Sequence, residues 1–420
     1  MNSSVSERSP ASPGRYAWTV VALLFPVALL NYLDRQMIAS MKASVMHDLS
    51  DLGLEANWGY MLGQFKWVYA ILSPVGGYLA DRFSRRLTIC GSLFAWSAIT
   101  WLTGQVTTYE GLLWTRTLMG VSEAFYIPAA LALIADYHTG PTRSRAVGFH
   151  QMGIYCGVML GGFGGYAAQS PDVGWRMAFN FTGLAGILYA VPLLLLLRDA
   201  PLSVGAGPAV SKPSPLNSLR ELLTNGSFIL LVLYFTLPAL AGWVVRDWMP
   251  AILQKSFNIS QGVAGVSATL YWQGAALVAA FGGGWLADRW MQRTQRGRIY
   301  VSAIGMFLII PALFGVGNSP GLNSFALAIA SLILFGLGWG FFDGNNMPIL
   351  CQIVRPELRA TGYGLMNFVS ISCGGFADWG FGLMRDQGIS INAIFSVFAG
   401  ACVVSLVLVL LIRPRESRVN

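Results

Sequence analysis

Twelve runs of about twenty apolar residues, nearly free of charge, constrain this chain of 420 residues more than any other feature. A helix needs about 20 such residues to cross a hydrocarbon layer, and only a helix or a closed barrel satisfies its backbone hydrogen bonds there. The runs lie near 16–39, 58–80, 87–107, 110–136, 146–168, 176–197, 226–249, 262–287, 299–317, 322–350, 360–384 and 391–412. Charged residues make up 11% of the chain, less than half the roughly 25% of an ordinary soluble domain, so most of these helices have no charged face to turn to water. The expected fold class is therefore an all-α polytopic membrane protein. Pro74, Pro128, Pro238 and Pro348 fall inside runs and predict kinks or breaks.

The basic residues set the expected orientation. With both ends in the cytoplasm, 19 of the 27 Lys and Arg fall on that side and five, Lys42, Arg176, Arg246, Lys255 and Arg385, fall on the other. This positive-inside bias accounts for the net charge of +8 without nucleic acid, for which no basic-aromatic stripe argues. Residues 1–15 are polar, lack the apolar core of a secretory signal and read as a cytoplasmic tail. Residues 198–225, rich in Pro, Ser and Gly, read as a cytoplasmic linker, with a short surface helix from Pro215 to Leu223. The expected division is thus a bundle over 16–197, the linker, a second bundle over 226–412 and a tail at 413–420. Five cysteines without a C-x-x-C pair and three scattered histidines, His47, His138 and His150, predict neither a disulfide framework nor a metal site.

The two halves repeat each other. GYLADRFSRR, with Gly77, Asp81, Arg82, Arg85 and Arg86, follows the second run, and GWLADRWMQR, with Asp288 and Arg289, follows the eighth at an offset of 207 residues. Arg145-Ala146-Val147-Gly148 and Arg359-Ala360-Thr361-Gly362 repeat at an offset of 214. Both offsets sit near half the chain length, as a parallel repeat of six helices requires. The loop motif, its second copy and the 6+6 helix count resemble the major facilitator superfamily. The resemblance implies two six-helix bundles rocking about a substrate site at the membrane midplane. Gly77, Asp81, Arg82, Arg86, Asp288 and Arg289 would then gate the cytoplasmic side, Asp81 pairing with arginines of neighbouring helices; the plainer alternative is a set of topology charges around one acid. Gln292 stands where the first copy has Arg85, which weakens the second copy.

Ionisable residues within the runs are functional candidates, because a charge in hydrocarbon is expensive unless it meets a partner or a wet cavity. The first run ends in NYLDRQ with Asp34 and Arg35, the fourth carries Arg116 and Glu123, and the second carries Lys66. Arg116 and Glu123, seven residues apart, share a helix face at a separation of about 10 Å. Purely structural pairs, Asp34 with Arg35 and Arg116 with Glu123, are the alternative.

N-Y-x-D-R on the first helix with R-x-x-x-G-x-x-E-A on the fourth is similar to the anion:cation symporter branch of the superfamily, which includes hexuronate and galactonate permeases and sialin-type transporters. That resemblance implies Asp34 and Glu123 as proton-coupling carboxylates and Arg35 and Arg116 as contacts to an anionic substrate or as a gate on Glu123. Spinster-type lysolipid transporters show a similar D-R and R…E-A pattern and supply the alternative function, an amphiphile transporter. Tyr32, Lys66, Gln151, Tyr271, Gln273, Asn346 and Asn367 are further substrate-binding candidates, alongside Asn345; Asp343 and Asp378 are possible coupling groups. The function expected is proton-coupled symport of a small organic anion, such as a hexuronate or hexonate, by a monomer in the inner (plasma) membrane. Protons are the coupling ion and no other cofactor is expected. No nucleophile–base pair suggests an enzyme.

Overall fold

The computed structural model describes residues 14–138, 142–200 and 215–414, with the side chains of residues 77–81, 144 and 215 excepted. Twelve long spans cross the molecule among the described residues. The first half holds α1 (Arg15–Ser40), α2 (Glu55–Arg82), α3 (Arg85–Thr103), α4 (Tyr109–Tyr137), α5 (Arg143–Gly162) and α6 (Gly174–Leu196). The second half holds α7 (Gly226–Phe257), α8 (Gln261–Met291), α9 (Gly297–Asn318), α10 (Phe325–Ile353), α11 (Arg359–Asp386) and α12 (Ile391–Leu411). Short helices Lys42–Asp48 and Pro215–Thr224 lie outside the spans. Eight spans are apolar and long enough by composition alone to cross a membrane. Of the other four, α2, α5 and α11 line the seam between the halves, where protein rather than lipid meets their glycines and polar residues.

The sequence repeat is a packing repeat. In the first half α1 pairs with α5, α2 with α4 and α3 with α6; in the second, α7 pairs with α11, α8 with α10 and α9 with α12. The start of α1 meets the end of α6 and the start of α7 meets the end of α12 on one side of the molecule, here the terminal face: Tyr16 donates to the carbonyl of Leu196 at 2.6 Å, and Ser227 to that of Arg413 at 3.1 Å. Of the four prolines, Pro128 alone sits at an interruption, in the first turn of the helix that restarts at Tyr126; Pro74, Pro238 and Pro348 are accommodated within continuous helices.

The halves meet on the opposite, distal side. Met37, Ile38, Met41, Trp58 and Met61 belong to one apolar core with residues of the second half such as Trp248 and Phe381, whereas the terminal-side core of the first half, around Val20, Leu24, Trp96 and Leu133, stands apart. Asp386 accepts from the backbone N–H of Glu55 at 3.0 Å and of Ala56 at 2.7 Å; Gln36 donates to the carbonyl of Arg246 at 3.1 Å; Ser44 bonds Gln261. Glycines make this closeness possible. A Cβ at Gly59 would run into the carbonyl of Asp378, and one at Gly63 would lie 2.8 Å from that of Gly375. Gly59→Ala is therefore expected to weaken the distal closure by about 1–3 kcal/mol through overpacking. An unchanged thermal midpoint and an unchanged share of distally closed molecules would reject this.

Candidate functional site

The site begins at an interruption in α4. Pro128 has no N–H, and its ring crowds the carbonyl four residues earlier, that of Ala124, so one helix stops at Glu123 and another starts at Tyr126. Gly76 of α2 seats against the interruption, where a Cβ would lie 2.6 Å from the Ala124 oxygen. Glu123 is held at this point with no solvent exposure. Arg35 reaches it from α1 and donates through Nε to Oε2 at 2.5 Å.

The Arg35 guanidinium lies among three rings, 4.8 Å from Tyr32, 4.8 Å from Phe65 and 4.7 Å from Tyr69, as a weakly hydrated planar cation can. Its Nη2 is buried without a hydrogen-bond acceptor, as is Oε1 of Glu123 without a donor. Asp34, also buried, accepts from Thr100 at 2.8 Å, and Arg116 donates to Thr103 at 3.0 Å while lying near both Asp34 and Glu123. The four charges thus converge, but the direct ion pair joins Arg35 to Glu123, which corrects the same-helix pairing of Arg116 with Glu123. Seven residues set a shared helix face; they do not bring two side chains into contact across two turns.

A cavity of about 220 Å³ lies between the halves beside Arg35. It runs to Tyr363, one turn from the terminal-face end of α11. Tyr32, Tyr69, Tyr155, Trp243, Trp272, Trp339 and Phe342 give it an aromatic wall, into which Arg35, Arg246, Asp343, Gln151, Gln273 and Asn367 bring charge and hydrogen-bonding capacity. Arg246 lies 5.0 Å from the Tyr32 ring. Among the substrate candidates, Tyr32, Arg35, Gln151, Gln273 and Asn367 line this cavity. Tyr271 does not: it is 41% exposed on the outer surface of α8, because a helix apolar all round does not reveal its azimuth. Asn346 is buried in α10 outside the cavity wall.

Towards the distal side a much smaller cavity, about 30 Å³, is walled by Arg35, Arg116, Lys66, Arg246 and Asp247. Lys66 there is an interface residue: its ammonium pairs with Asp247 of α7 and Asp378 of α11 and sits 4.5 Å from the Trp243 ring. This triad crosses the seam. Arg246 and Asp247 escaped the sequence reading because Arg246, near the end of the run 226–249, counted as an outer-side charge, while α7 in fact continues through Pro250 to Phe257. An Arg-Asp pair inside a longer apolar run was the available signal.

On the terminal face, the α2 backbone runs through Gly77, the Asp81 side chain lies outside the described residues, and Arg82 closes the helix. Arg85 pairs with Asp136 at the end of α4; Arg86 donates to the carbonyl of Leu194 in α6. Asp288 accepts from Arg298 at 2.7 Å, and Arg289 lies 5.9 Å from the Trp285 ring. These partners all belong to the same half as the residue they hold. Two of the three histidines are buried and hydrogen-bonded: His150 bonds the Tyr126 hydroxyl at 2.9 Å and His138 the Ala17 carbonyl at 3.0 Å. Among the described residues no cluster of His, Cys, Asp or Glu has the makings of a metal site.

Comparison with known proteins agrees with this architecture. Protein spinster homolog 1 of Xenopus tropicalis is 28% identical over 377 residues, 85% of this chain and 70% of the relative. An MFS-type efflux pump of Mycolicibacterium smegmatis is 28% identical over 382 residues, 89% of this chain and 85% of the relative. A bacterial homolog of the human lysosomal transporter spinster, solved in an inward-facing and unoccupied conformation, superposes with a TM-score of 0.77 at 21% identity over 96% of each chain. The profile of the Major Facilitator Superfamily matches residues 24–377. With its two six-helix halves, the cavity between them and this match, the chain belongs to the Major Facilitator Superfamily and is a membrane-spanning transporter, not an enzyme.

Proposed function

We propose that this chain is a spinster-type transporter of an anionic amphiphile, coupled to protons through Glu123 and Asp34. The observation that carries the reading is the make-up of the central cavity, in which a wall of Tyr and Trp rings surrounds two cations, Arg35 and Arg246. Such a wall suits a ligand with an apolar portion, and the arginines suit its acidic head. The similarity to spinster proteins supports the same class. A sugar acid, the function first read from the sequence, would rely on Gln151, Gln273 and Asn367 for its hydroxyls.

Arg35 couples the two ligands. It lines the cavity while bonding Glu123, and its buried Nη2 has no acceptor. A carboxylate or phosphate that engages the guanidinium competes with Glu123, and a proton on Glu123 then replaces the charge it has lost. Anion and proton occupy the carrier together. Asp34, beside Arg116, is the second proton site of this scheme. In the membrane the terminal face is cytoplasmic, so the state described here is closed distally and its cavity extends towards the cell interior; the plasma membrane is the proposed location and one chain the transporting unit. Gly77, Asp81, Arg82, Arg86, Asp288 and Arg289 close the terminal face in the opposite state.

The test is pH-driven uptake into proteoliposomes of a lysophospholipid and of a panel of sugar acids, by the wild type and by Glu123→Gln. Uptake of the lysolipid with proton movement, and loss of driven accumulation but not of binding in the variant, is the expected result. Uptake of sugar acids alone would reject the amphiphile, and accumulation undiminished in Glu123→Gln would reject the coupling.

A further inference from the structure

The central cavity has a larger neighbour. A vestibule of about 600 Å³ opens on the distal side, and nothing in the transport scheme uses it. Along α7 it reaches from Asn258 down to Trp248, ten residues or about 15 Å. Its floor is apolar and aromatic, built on Trp248 and Phe381, whose rings pack 4.7 Å apart. Three cations, Lys42, Lys255 and Arg385, face a single carboxylate, Glu55, leaving a net charge of +2.

Lys42 is the buried member of this set. Its ammonium pairs with Glu55 and lies 4.5 Å from the Trp248 ring. Burial pushes it below the usual lysine range, Glu55 and the more distant Asp386 oppose this, and Lys255 adds to it by repulsion. An anion in the vestibule would relieve the repulsion between the two lysines, and an apolar tail would cover the floor. The walls come from both halves: Lys42 and Glu55 from the first, Lys255, Trp248 and Arg385 from the second. Separation of the halves divides the vestibule, so a ligand touching both walls binds the distally closed state alone.

We infer that this vestibule is a second binding site, for an anionic amphiphile arriving from the distal side, and that its occupant holds the distal closure shut. The inference stands on the vestibule itself and not on the identity of the transported substrate. Occupancy from that side would slow the carrier when the ligand is abundant there.

Hydrogen exchange tests this on the full chain in lipid nanodiscs, with n-octyl phosphate as the probe. The amides of Glu55 and Ala56, which bond Asp386 across the seam, report the closure. At ten times its dissociation constant the probe is expected to slow their exchange about elevenfold, because binding to one state scales its population by one plus that ratio. The protection should persist in Arg35→Gln, which changes the central site and no vestibule residue, and vanish in Lys255→Glu and in Arg385→Gln, which change two of the vestibule's cations. Lys255 is exposed, so its variant leaves the packing intact. Protection that survives both vestibule variants, disappears with Arg35→Gln or is matched by n-octanol would overturn the proposal.

Discussion

Replacing Lys66 by methionine is expected to open the distal closure. Lys66 is bonded to both Asp247 and Asp378, and all three side chains are buried at the seam between α2, α7 and α11. Without it two carboxylates face each other out of water, a loss of about 3–5 kcal/mol for a broken buried pair. Opening rehydrates them, so the penalty falls on the closed state. A shift of that size changes the ratio of closed to open molecules about a hundredfold to several-thousandfold. Spin labels at Leu54 and Gln387, exposed distal positions on opposite halves, should move apart in a cysteine-free background. Adding Asp247→Leu and Asp378→Leu removes the stranded charges, and the closure should return, since apolar residues of similar volume replace buried ions at little net loss. Label spacing unchanged in Lys66→Met, or a triple variant as open as the single one, would show that the triad does not hold the seam.

The residues of that triad also mark where sequence reasoning stops. Asp34, Arg35, Arg116 and Glu123 were legible because each charge interrupts an apolar run, and lipid makes such interruptions expensive. The two-bundle fold was legible from the same runs and from the repeated loop motif, because a membrane leaves a chain few ways to satisfy its backbone. Partnership was not. Whether Glu123 meets Arg35 or Arg116 depends on the interruption at Ala124 and on the rotation of α1 about its axis, neither of which a residue count contains. Azimuth also explains the difference between Gln273, which lines the cavity, and Tyr271, which faces outward two residues away on the same helix. The cross-half partners of Lys66 lie 181 and 312 residues along the chain, beyond any local pattern. The vestibule was hidden for a similar reason: Lys42, Lys255 and Arg385 counted as three scattered outer charges until the fold gathered them.

Arg35→Gln is expected to abolish driven accumulation and to destabilise the protein, and the two effects can be separated. The first arises because Arg35 is the group that both the substrate anion and Glu123 engage in the proposed scheme. Loss of a charge-assisted hydrogen bond of about 1.5–3 kcal/mol weakens substrate binding roughly tenfold to 150-fold. The second arises because Glu123, fully buried, loses the partner it holds at 2.5 Å, at about 3–5 kcal/mol. Arg35→Lys should rescue neither fully: an ammonium keeps the charge but cannot lie flat among Tyr32, Phe65 and Tyr69 while bonding both a ligand and Glu123. The double variant Arg35→Gln/Glu123→Gln discriminates between a structural and a coupling pair. With the stranded charge gone, its thermal midpoint should recover most of what the single variant loses, while pH-driven accumulation stays absent. If stability and accumulation return together, the pair serves packing alone. If accumulation persists in Arg35→Gln itself, the cation that links anion to proton has to be sought elsewhere, with Arg246 across the cavity the next to replace.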